Sequence, residues 1–500
     1  MQFCEKLIFI MNLIQTSNRE LAESISADPS LVSRLRTGKR GMPRNKKLLQ
    51  DMARYFARRC TTDYQRRALA EIVGTNMIFT IKIDQLSELL YYWLCGDNDG
   101  VGRFMRTFEA LRDSGNEEHE SVDIVCEFHE GTSVYYGNEG KRAAARAFYQ
   151  YLLMLDAPET IFLSNEEADD WMTEDYGFFS TMQEWALHLT QRGFKICQIT
   201  QPLMSGGQML ESLTRWIPLY MTGQVEAHYY PRLRDNVHRR SIVVVPGKVA
   251  VVSNSMAGSQ SSYAVVYTDD PKLTHVYETE FRDYLSLCRP MLNIYKSPED
   301  LMQSFIQFLT PRGERIQKLL SLSAETAPAG LLDYCIGKRD SADLKRLGSI
   351  YQEEMERLEK EGDKYNLIDI VCLATARQVR DGLVPITTSR GTSEILYYTP
   401  ENYVLHLKNI LRILETCENY HFVPWSGDFE QDSALMVKEE HRALLVHIHE
   451  PFTVFEISQP DMVALYREYL LRIAEKLGYK GKHRMKIKSQ IRDLIHELEA

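Results

Sequence analysis

The sequence lacks any run of about eighteen consecutive apolar residues, the length that a membrane-spanning helix needs. Its nine cysteines are scattered, odd in number and include no C-x-x-C pair, so neither a zinc site nor a disulfide framework is indicated. No segment matches the glycine-rich patterns G-x-x-x-x-G-K-[ST] or G-x-G-x-x-G that hold nucleotide phosphates. These absences predict a cytoplasmic protein with reduced thiols that has no metal site, needs no cofactor and does not associate with a membrane.

The chain is long enough for several domains. Its 500 residues, of which 44% are hydrophobic, can form about three packed cores. Residues 1–14 are apolar, but they are interrupted by Glu5 and Lys6 and lack the small-residue cleavage site of a signal peptide. They therefore predict the first helix of a folded domain.

Charge is distributed unevenly along the chain. Residues 1–70 contain 14 Lys and Arg against 6 Asp and Glu, a net charge of +8. The whole chain has a net charge of −10, so residues 71–500 carry −18. A basic N-terminal segment on an acidic body predicts one nucleic-acid-binding surface, because the rest of the protein would be repelled by phosphates.

Two short helices with a tight turn between them are predicted within residues 17–38. Ser17 and Glu20 have the spacing of a capping box at a helix N-terminus. Asp28 followed by Pro29 predicts the start of the second helix, because Asp is a favoured N-cap and proline suits the first helical position. Gly38 follows that helix at the place where a left-handed C-cap residue is expected.

The second of these helices has one apolar and one polar side. Its apolar stripe consists of Leu31, Val32 and Leu35. The opposite side carries small polar and cationic groups, namely Ser30, Ser33, Arg34 and Thr37. Two helices of this kind, the second exposing such groups, are typical of a helix-turn-helix.

Residues 1–70 resemble the Cro/repressor (XRE-type) helix-turn-helix family of transcription regulators. The matching segments are Glu20-Leu21-Ala22, Ser33-Arg34-Leu35 and Gly38-Lys39-Arg40. The sequence departs from the family at the turn, where Ser26-Ala27-Asp28 lacks the glycine common before the recognition helix. The alternative interpretation is an ordinary helical hairpin with a basic face.

The resemblance implies double-stranded DNA as the partner. It places base contacts at Pro29, Ser30, Ser33 and Arg34, where the arginine fork suits guanine. Phosphate contacts are implied at Asn18, Arg19, Arg36, Lys39, Arg40 and Arg44. One recognition helix covers only a few base pairs, so a homodimer is predicted, with its interface within residues 80–130 or 341–380.

The whole pattern predicts an α+β multidomain protein with five segments. Residues 1–75 form an all-α helix-turn-helix head, and residues 76–135 form a helical connector. Residues 136–295 form an α/β unit in which helices alternate with short strands. Residues 296–390 are predicted to be a mainly helical linker or interface, and residues 391–500 a second α/β unit with C-terminal helices.

A β-hairpin is predicted around Pro246-Gly247, which separates two apolar runs. Its segment 238–255, HRRSIVVVPGKVAVVSNS, resembles the core of the phospholipase D superfamily. There an H-x-K-x4-D pattern supplies a nucleophilic histidine, a phosphate-binding lysine and a supporting aspartate. His238 matches the histidine, Arg240 replaces the lysine and Val245 stands at the aspartate position.

The resemblance implies an anion pocket without catalysis, because the carboxylate that would orient the imidazole is missing. TrmB-like regulators have a similar arrangement, with a DNA-binding head on a non-catalytic phospholipase D-like sensor. Residues 403–475 repeat the order of elements in residues 180–290, as a body built from two such halves requires. The alternatives are an ordinary hairpin with a surface histidine, and the general tendency of α/β chains to repeat such units.

Aromatic residues near the hairpin are the remaining candidates for effector binding. Trp216, Tyr220 and Tyr230 fit the wall of a pocket that also contains His238 and Arg240. The alternative is that these aromatics belong to the hydrophobic core.

Three functions are consistent with the sequence. The first is a DNA-binding transcription regulator whose non-catalytic α/β body senses an unidentified small molecule or protein. The second is a phospholipase D-like enzyme tethered to DNA, against which the missing lysine and aspartate count. The third is a scaffold for a protein partner whose helix-turn-helix only autoregulates.

Overall fold

A computed structural model describes most of the chain. The described residues are 3–43, 45–62, 64–66, 68–69, 83–95, 100–110, 131–167, 169–200, 206–232, 237–257, 263–310, 313–331, 342–360, 365–386, 396–425, 433–447, 453–479 and 484–500. Together they form an α+β protein with an all-helical head and an α/β body. In these residues no helix is both long enough and apolar enough to cross a membrane.

The head consists of helices around one small core. They are α1 Phe3–Leu13, α2 Asn18–Ser24, α3 Pro29–Arg36, α4 Lys46–Arg59 and α5 Ile83–Cys95. Val32 and Leu35 of α3 pack in this core with Phe56 of α4 and Trp93 of α5. Helix α5, which belongs to the predicted connector, is therefore part of the head.

The local signals for α2 and α3 act as the sequence predicts. The Ser17 side chain accepts a hydrogen bond from the Glu20 N–H at 3.2 Å, and the Glu20 carboxylate accepts one from the Ser17 N–H at 2.8 Å. Asp28 caps α3 by accepting from the Ser30 N–H at 2.7 Å. The turn is closed without glycine because Ser26 adopts a left-handed conformation with φ of 50°. Gly38 follows α3 with φ of 71°.

The body is built on one sheet of fourteen described strands. They are β1 Thr132–Tyr136, β2 Thr160–Asn165, β3 Lys195–Ile199, β4 Val225–Tyr229, β5 His238–Val245, β6 Val249–Met256, β7 Ala264–Thr268, β8 Arg289–Tyr295, β9 Arg315–Leu319, β10 Leu367–Cys372, β11 Tyr420–Trp425, β12 Ser433–Lys438, β13 Arg442–His447 and β14 Thr453–Ile457. Their spatial order is β1-β7-β6-β5-β2-β3-β4-β8-β14-β13-β12-β9-β10-β11.

Helices cover both faces of this sheet. They are α6 Gly100–Ala110, α7 Gly137–Leu153, α8 Asp170–Thr173, α9 Tyr176–Gln191, α10 Gly206–Arg215, α11 Ile217–Met221, α12 Pro271–Ser286, α13 Pro298–Leu309, α14 Ala342–Lys360, α15 Ala376–Arg380, α16 Pro400–Thr416, α17 Pro460–Lys476 and α18 Arg484–Glu499, with a short 3₁₀ turn at Ala324–Thr326. Helix α6 packs against the body, where Phe108 contacts Phe455 edge to face with ring centroids 5.2 Å apart.

The sheet contains the same strand arrangement twice. Strands β2, β3 and β4 are parallel, and the meander β5-β6-β7 returns antiparallel beside β2. Strands β9, β10 and β11 are likewise parallel, and the meander β12-β13-β14 returns beside β9. A helix follows each meander, α12 after β7 and α17 after β14. The body therefore consists of two units of equal topology, joined through β8.

The second unit is turned over relative to the first. Each neighbouring pair of strands is antiparallel along the path β4-β8-β14-β13-β12-β9. This path contains five reversals of direction, so the parallel strands β9, β10 and β11 run opposite to β2, β3 and β4. Phe281 of α12 packs on the side of β5 that carries Val244, whereas Tyr466 of α17 shares a core with Val245, on the other side. Equivalent helices thus lie on opposite faces of one sheet.

The second unit begins earlier than the sequence predicts. Residues 296–390, predicted to be a mainly helical linker, contribute β9 and β10 to it. Both strands carry polar residues, Arg315 and Gln317 in β9 and Asp369 in β10, which interrupt the apolar pattern. These three side chains are fully buried and bond to one another or to Glu325. Because these polar residues are buried in a hydrogen-bonded network, β9 and β10 lack the apolar pattern by which a buried strand is recognised in a sequence.

Candidate functional sites

The outer face of α3 carries the residues for which base contacts are predicted. Pro29, Ser30 and Arg34 are exposed, and Ser33 is half-buried beside them. Arg34 lies along its own helix, where its Nη2 donates to the Ser30 hydroxyl at 3.2 Å and its Nε donates to the Ser30 carbonyl at 3.2 Å. The structure therefore brings these four residues together on one accessible helix face.

The predicted phosphate-binding residues have different surroundings. Lys39 and Arg40 are exposed beyond Gly38. Arg19 is also exposed and forms an ion pair with Glu23 at 2.8 Å.

Arg36 is half-buried and donates to Asn12 at 3.0 Å and to Asn18 at 3.4 Å, so it braces α3 against α1 and α2. Arg44 lies outside the described residues.

One cation of the basic head is not available to a ligand. Lys6 is buried, and its Nζ donates to the Trp93 carbonyl and lies 5.4 Å from the Trp93 ring centroid. Burial lowers the pKa of Lys6 from its ordinary value. The exposed cations of the described head include Arg34, Lys39 and Arg40 on and after α3, and Lys47, Arg54, Arg58 and Arg59 on α4.

The guanidinium of Arg240, in the hairpin β5-β6, is bonded to two side chains of the protein itself. Arg240 Nη1 donates to Asn254 at 2.7 Å, and Nη2 donates to Glu280 of α12 at 2.6 Å. The Nε of Arg240 lies 2.5 Å from the other Glu280 oxygen, which makes the ion pair bidentate. The anion position expected beside Arg240 is thus occupied by a carboxylate of the chain itself.

His238 and Val245 do not have the surroundings of a catalytic pair. His238 is exposed at the start of β5, whereas Val245 is fully buried at its end. Val245 also lies on the opposite side of the strand, in the core that faces α7 and α9.

The three aromatic candidates do not form one pocket with Arg240. Trp216 packs edge to face on Phe179, with ring centroids 5.6 Å apart, and Tyr220 is buried in the same core. Burial raises the pKa of Tyr220 above its ordinary value. Tyr230 instead contacts Tyr284 of α12, on the Arg240 side of the sheet. The sheet therefore separates Trp216 and Tyr220 from Tyr230.

A buried polar cluster that sequence analysis missed lies on the other side of the same hairpin. The Nζ of Lys141 and the Ser253 hydroxyl both donate to the same oxygen of Glu167. Lys141 also donates to Ser241 at 3.3 Å and lies 5.0 Å from the Trp171 ring centroid. Burial raises the pKa of Glu167, but the Lys141 ammonium and the hydrogen bonds from Lys141, Ser253 and Ser255 together outweigh burial and hold that pKa below its ordinary value.

A second buried network joins β9, β10 and β11. Asp369 accepts from Gln317 at 2.7 Å and from the Tyr420 hydroxyl at 3.1 Å. Burial, followed by the nearby Glu325 carboxylate, raises the pKa of Asp369 to about 7. Close by, His406 is held between Thr326 at 2.9 Å and Tyr398 at 2.8 Å, and burial lowers its pKa to about 3. Both networks are fully buried and act as polar cores of their units.

An open cleft of about 720 Å³ lies beside β11 and the start of α18. Its aromatic walls include Phe422, Trp425 and Tyr479, and its described lining contains cationic side chains but no carboxylate. Of these cations, Arg484 is committed to the carbonyls of Leu414, Cys417 and Glu418, which end α16. Lys486 is exposed at the cleft.

The ionisation of His421 also affects the charge of this cleft. Its pKa is lowered by burial and then by Arg484. The imidazole is therefore neutral at pH 7, so Lys486 supplies the exposed positive charge. The sequence signal for this site is the segment GYKGKHRMKIK, residues 478–488, where an aromatic residue precedes a cluster of cations.

Comparison with known proteins gives partial similarity in structure only. No protein-family model matches the chain, and no curated protein matches it. TrmBL2, an archaeal chromatin protein described with a novel mode of DNA binding, is 11% identical with a TM-score of 0.23, over 41% of this chain and 68% of that chain. Nuc, a phospholipase D family member from Salmonella typhimurium, is 14% identical with a TM-score of 0.22, over 32% of this chain and 96% of that chain.

The polyphosphate kinase from Porphyromonas gingivalis is 11% identical with a TM-score of 0.24. That similarity covers 74% of this chain and 56% of the kinase chain. At these values the similarities assign neither a family nor an activity.

Proposed function

We propose that this protein is a sequence-specific DNA-binding transcription regulator of the XRE type. The observation that supports this proposal is the exposed face of α3, where Ser30, Ser33 and Arg34 lie together while Val32 and Leu35 are buried beneath them. A helix of this kind enters the major groove with its N-terminal residues at the base edges. Lys39 and Arg40 follow the helix and supply phosphate contacts.

The test is selection of binding sites from a random double-stranded DNA library by the purified full-length protein. A two-fold symmetric consensus is expected, because a homodimer places two recognition helices on one site. Recovery of sequences without any consensus, at every salt concentration used, would contradict the proposal. Measurements at several salt concentrations are needed because phosphate contacts make non-specific affinity salt-dependent.

We further infer that the body binds a ligand without catalysing a reaction. Arg240 is neutralised by Glu280, and the position of a supporting aspartate holds the buried side chain of Val245. Neither arrangement suits the chemistry of a nucleophilic histidine, which needs a carboxylate to orient it. A phosphodiesterase assay with bis(p-nitrophenyl) phosphate is expected to give no turnover above buffer. Turnover that is lost in His238→Ala would establish the enzyme instead.

The cleft beside β11 is the better candidate for an effector site. Its volume of about 720 Å³ is in the range of small-molecule pockets, and it combines aromatic walls with the exposed cation Lys486. A small anion with a flat apolar part, such as a nucleotide or an aromatic carboxylate, matches this lining. Isothermal titration with adenosine monophosphate, adenosine and inorganic phosphate separates the contributions of ring and charge. Absence of binding to a wider panel of aromatic anions would remove the cleft as a candidate.

A further inference from the structure

Strand β1 ends the sheet and has one edge without a partner strand among the described residues. Its inner edge pairs with β7 in antiparallel register, Thr132 opposite Thr268 and Tyr136 opposite Ala264. The Gly137 N–H donates to the Tyr263 carbonyl at 3.0 Å, which fixes the alternation of the ladder. Because hydrogen-bonded positions alternate, the N–H and C=O groups of Thr132, Val134 and Tyr136 point away from β7.

The opposite edge of the sheet is built differently. The carbonyl of Asn419, just before β11, accepts from the N–H of Leu367 in β10, and the carbonyl of Trp425 accepts from the N–H of Leu373, just after β10. The backbone groups of odd-numbered residues in β11 therefore face β10, and those of even-numbered residues point outward. One of these is Pro424, which has no N–H to offer. Proline at an outward position protects an edge strand from pairing. Strand β1, with the sequence TSVYY, contains neither proline nor a charged residue.

The side chains at the outward positions of β1 are themselves exposed and partly apolar. Val134 is 49% exposed and Tyr136 is 74% exposed. They lie on one face of the sheet, where Val266 of β7 stands opposite Val134. An exposed apolar strip along an unprotected edge strand is a ready template for pairing with another strand.

We propose that a second copy of this chain pairs with β1, forming a two-fold symmetric dimer centred on Val134. An antiparallel pairing about this residue is self-complementary. Val134 lies opposite its own equivalent, and Thr132 of each copy lies opposite Tyr136 of the other. The outward N–H and C=O groups of these three positions then satisfy one another, and the two apolar strips meet on the same face of the sheet.

This interface differs from the regions 80–130 and 341–380 that the sequence favours. The proposed β1 interface would form the dimer that two-fold DNA recognition needs, but the argument for it depends only on the edge of the sheet and not on DNA binding. Its test therefore uses the full-length protein without DNA, so a failure to bind DNA would leave the result unaffected.

The first experiment compares solution masses by sedimentation equilibrium. The wild type is expected to have twice the mass of one chain, and Val134→Pro to be monomeric. The substitution removes an N–H that points away from β7 and has no acceptor among the described residues, so the pairing of β1 with β7 is retained. Val134→Thr, which keeps the N–H, is the matched control and is expected to remain dimeric. A monomeric wild type, or a Val134→Pro variant that folds and remains dimeric, would overturn the proposal.

A second experiment does not depend on how proline is tolerated. Val134→Cys places two thiols across the two-fold axis, where opposed Cα atoms lie about 5.5 Å apart, within the range of a disulfide. Mild oxidation is expected to give a covalent dimer that a reducing agent returns to monomer. Wild type, with its native cysteines, and Ser133→Cys, which is not opposite itself, are expected to remain uncrosslinked. No crosslink in Val134→Cys, or equal crosslinking in Ser133→Cys, would contradict this register.

Discussion

Arg240 and Glu280 form a bidentate ion pair, with N···O distances of 2.6 Å and 2.5 Å, across the space between β5 and α12. The carboxylate occupies the position where a phosphate or carboxylate ligand of Arg240 would be expected. Arg240 keeps a further hydrogen bond to Asn254 at 2.7 Å, so its orientation does not depend on Glu280 alone. The pair therefore neutralises the guanidinium that the sequence predicted to bind an anion.

Removing the Glu280 charge is therefore expected to restore anion binding. In Glu280→Gln the guanidinium keeps its bond to Asn254 and gains an unpaired charge, which suits an oxyanion. Isothermal titration with pyrophosphate should show binding in this variant and none at the site in wild type. Both partners are partly exposed, so the loss of stability should be about 1 kcal/mol or less.

The double variant Arg240→Ala/Glu280→Gln is the control for this prediction. It removes the cation that the released site would use, and pyrophosphate binding should disappear again. Equal binding by the single and double variants would show that the anion is held elsewhere.

The proposed recognition of DNA by α3 predicts different effects for two neighbouring cations, Arg34 and Lys39. Arg34→Ala should lower affinity for the selected site by about 1–3 kcal/mol and relax the preference at one base pair. Lys39→Ala should weaken binding to all sequences alike and reduce the salt dependence by about one phosphate contact. Fluorescence anisotropy with selected and scrambled duplexes measures both quantities.

Arg377→Ala is the matched control, because Arg377 is exposed on α15 in the body and pairs only weakly with Asp381 at 3.5 Å. It should leave DNA binding unchanged. Equal losses for Arg34→Ala on selected and scrambled DNA would remove Arg34 from the base-contacting set.

The turn before α3 makes a prediction about stability. Ser26 has φ of 50°, a left-handed conformation that costs a non-glycine residue about 1 kcal/mol or more. Ser26→Gly should therefore raise the free energy of unfolding of the head by about 0.5–1 kcal/mol. Ser24→Gly, at the end of α2, should lower it, because glycine is unfavourable in a helix. A destabilised Ser26→Gly variant in thermal melts would contradict this assignment of strain.

The head could be predicted from sequence because its signals are local. The capping pair of Ser17 and Glu20, the Asp28 N-cap and Gly38 each act within about three residues of their position, and each is present in the structure. The conformation of the turn at Ser26 was not predicted, because a serine in the left-handed conformation cannot be recognised from the residue pattern.

That the residues predicted to bind an effector do not form one pocket could not be foreseen from the sequence, because the contacts that decide it join residues far apart along the chain. Arg240 meets Glu280 only because α12 folds back over β5, and no spacing rule connects the two. Trp216 and Tyr220 are close to Tyr230 in sequence, but their side chains lie on the opposite side of the sheet from the side chain of Tyr230. Which side each residue faces is set by the order of strands rather than by local pattern.

If the cleft beside β11 is the effector site that we propose, its exposed lysine, Lys486, should control ligand binding. Lys486→Glu should weaken binding of adenosine monophosphate at least tenfold, because it reverses the exposed charge of the cleft. Binding of uncharged adenosine should change much less. Lys488→Glu lies on the same helix but outside the cleft lining, and it is expected to bind as wild type does. Similar losses in both variants would indicate a general charge effect and not a site.

The last prediction concerns the buried carboxyl of Asp369, whose pKa is raised to about 7 by burial and by Glu325. Its pKa in the unfolded chain is the ordinary value of about 3.9, so unfolding releases a proton between about pH 4 and pH 7. This contribution to stability is fully present below pH 4 and is lost as the pH rises to about 7. At about 1.4 kcal/mol per pKa unit, the loss is at most about 4 kcal/mol.

Asp369→Asn should remove this dependence, because an asparagine can accept from Gln317 and donate to Tyr420 without ionising. Denaturant unfolding at pH 5 and pH 8 should show the variant gaining stability relative to wild type at the higher pH. His406, with its pKa lowered to about 3, destabilises both proteins equally as the pH falls below about 6.5, so its effect cancels in the comparison. A constant difference between variant and wild type at both pH values would show that Asp369 is ionised in the folded protein.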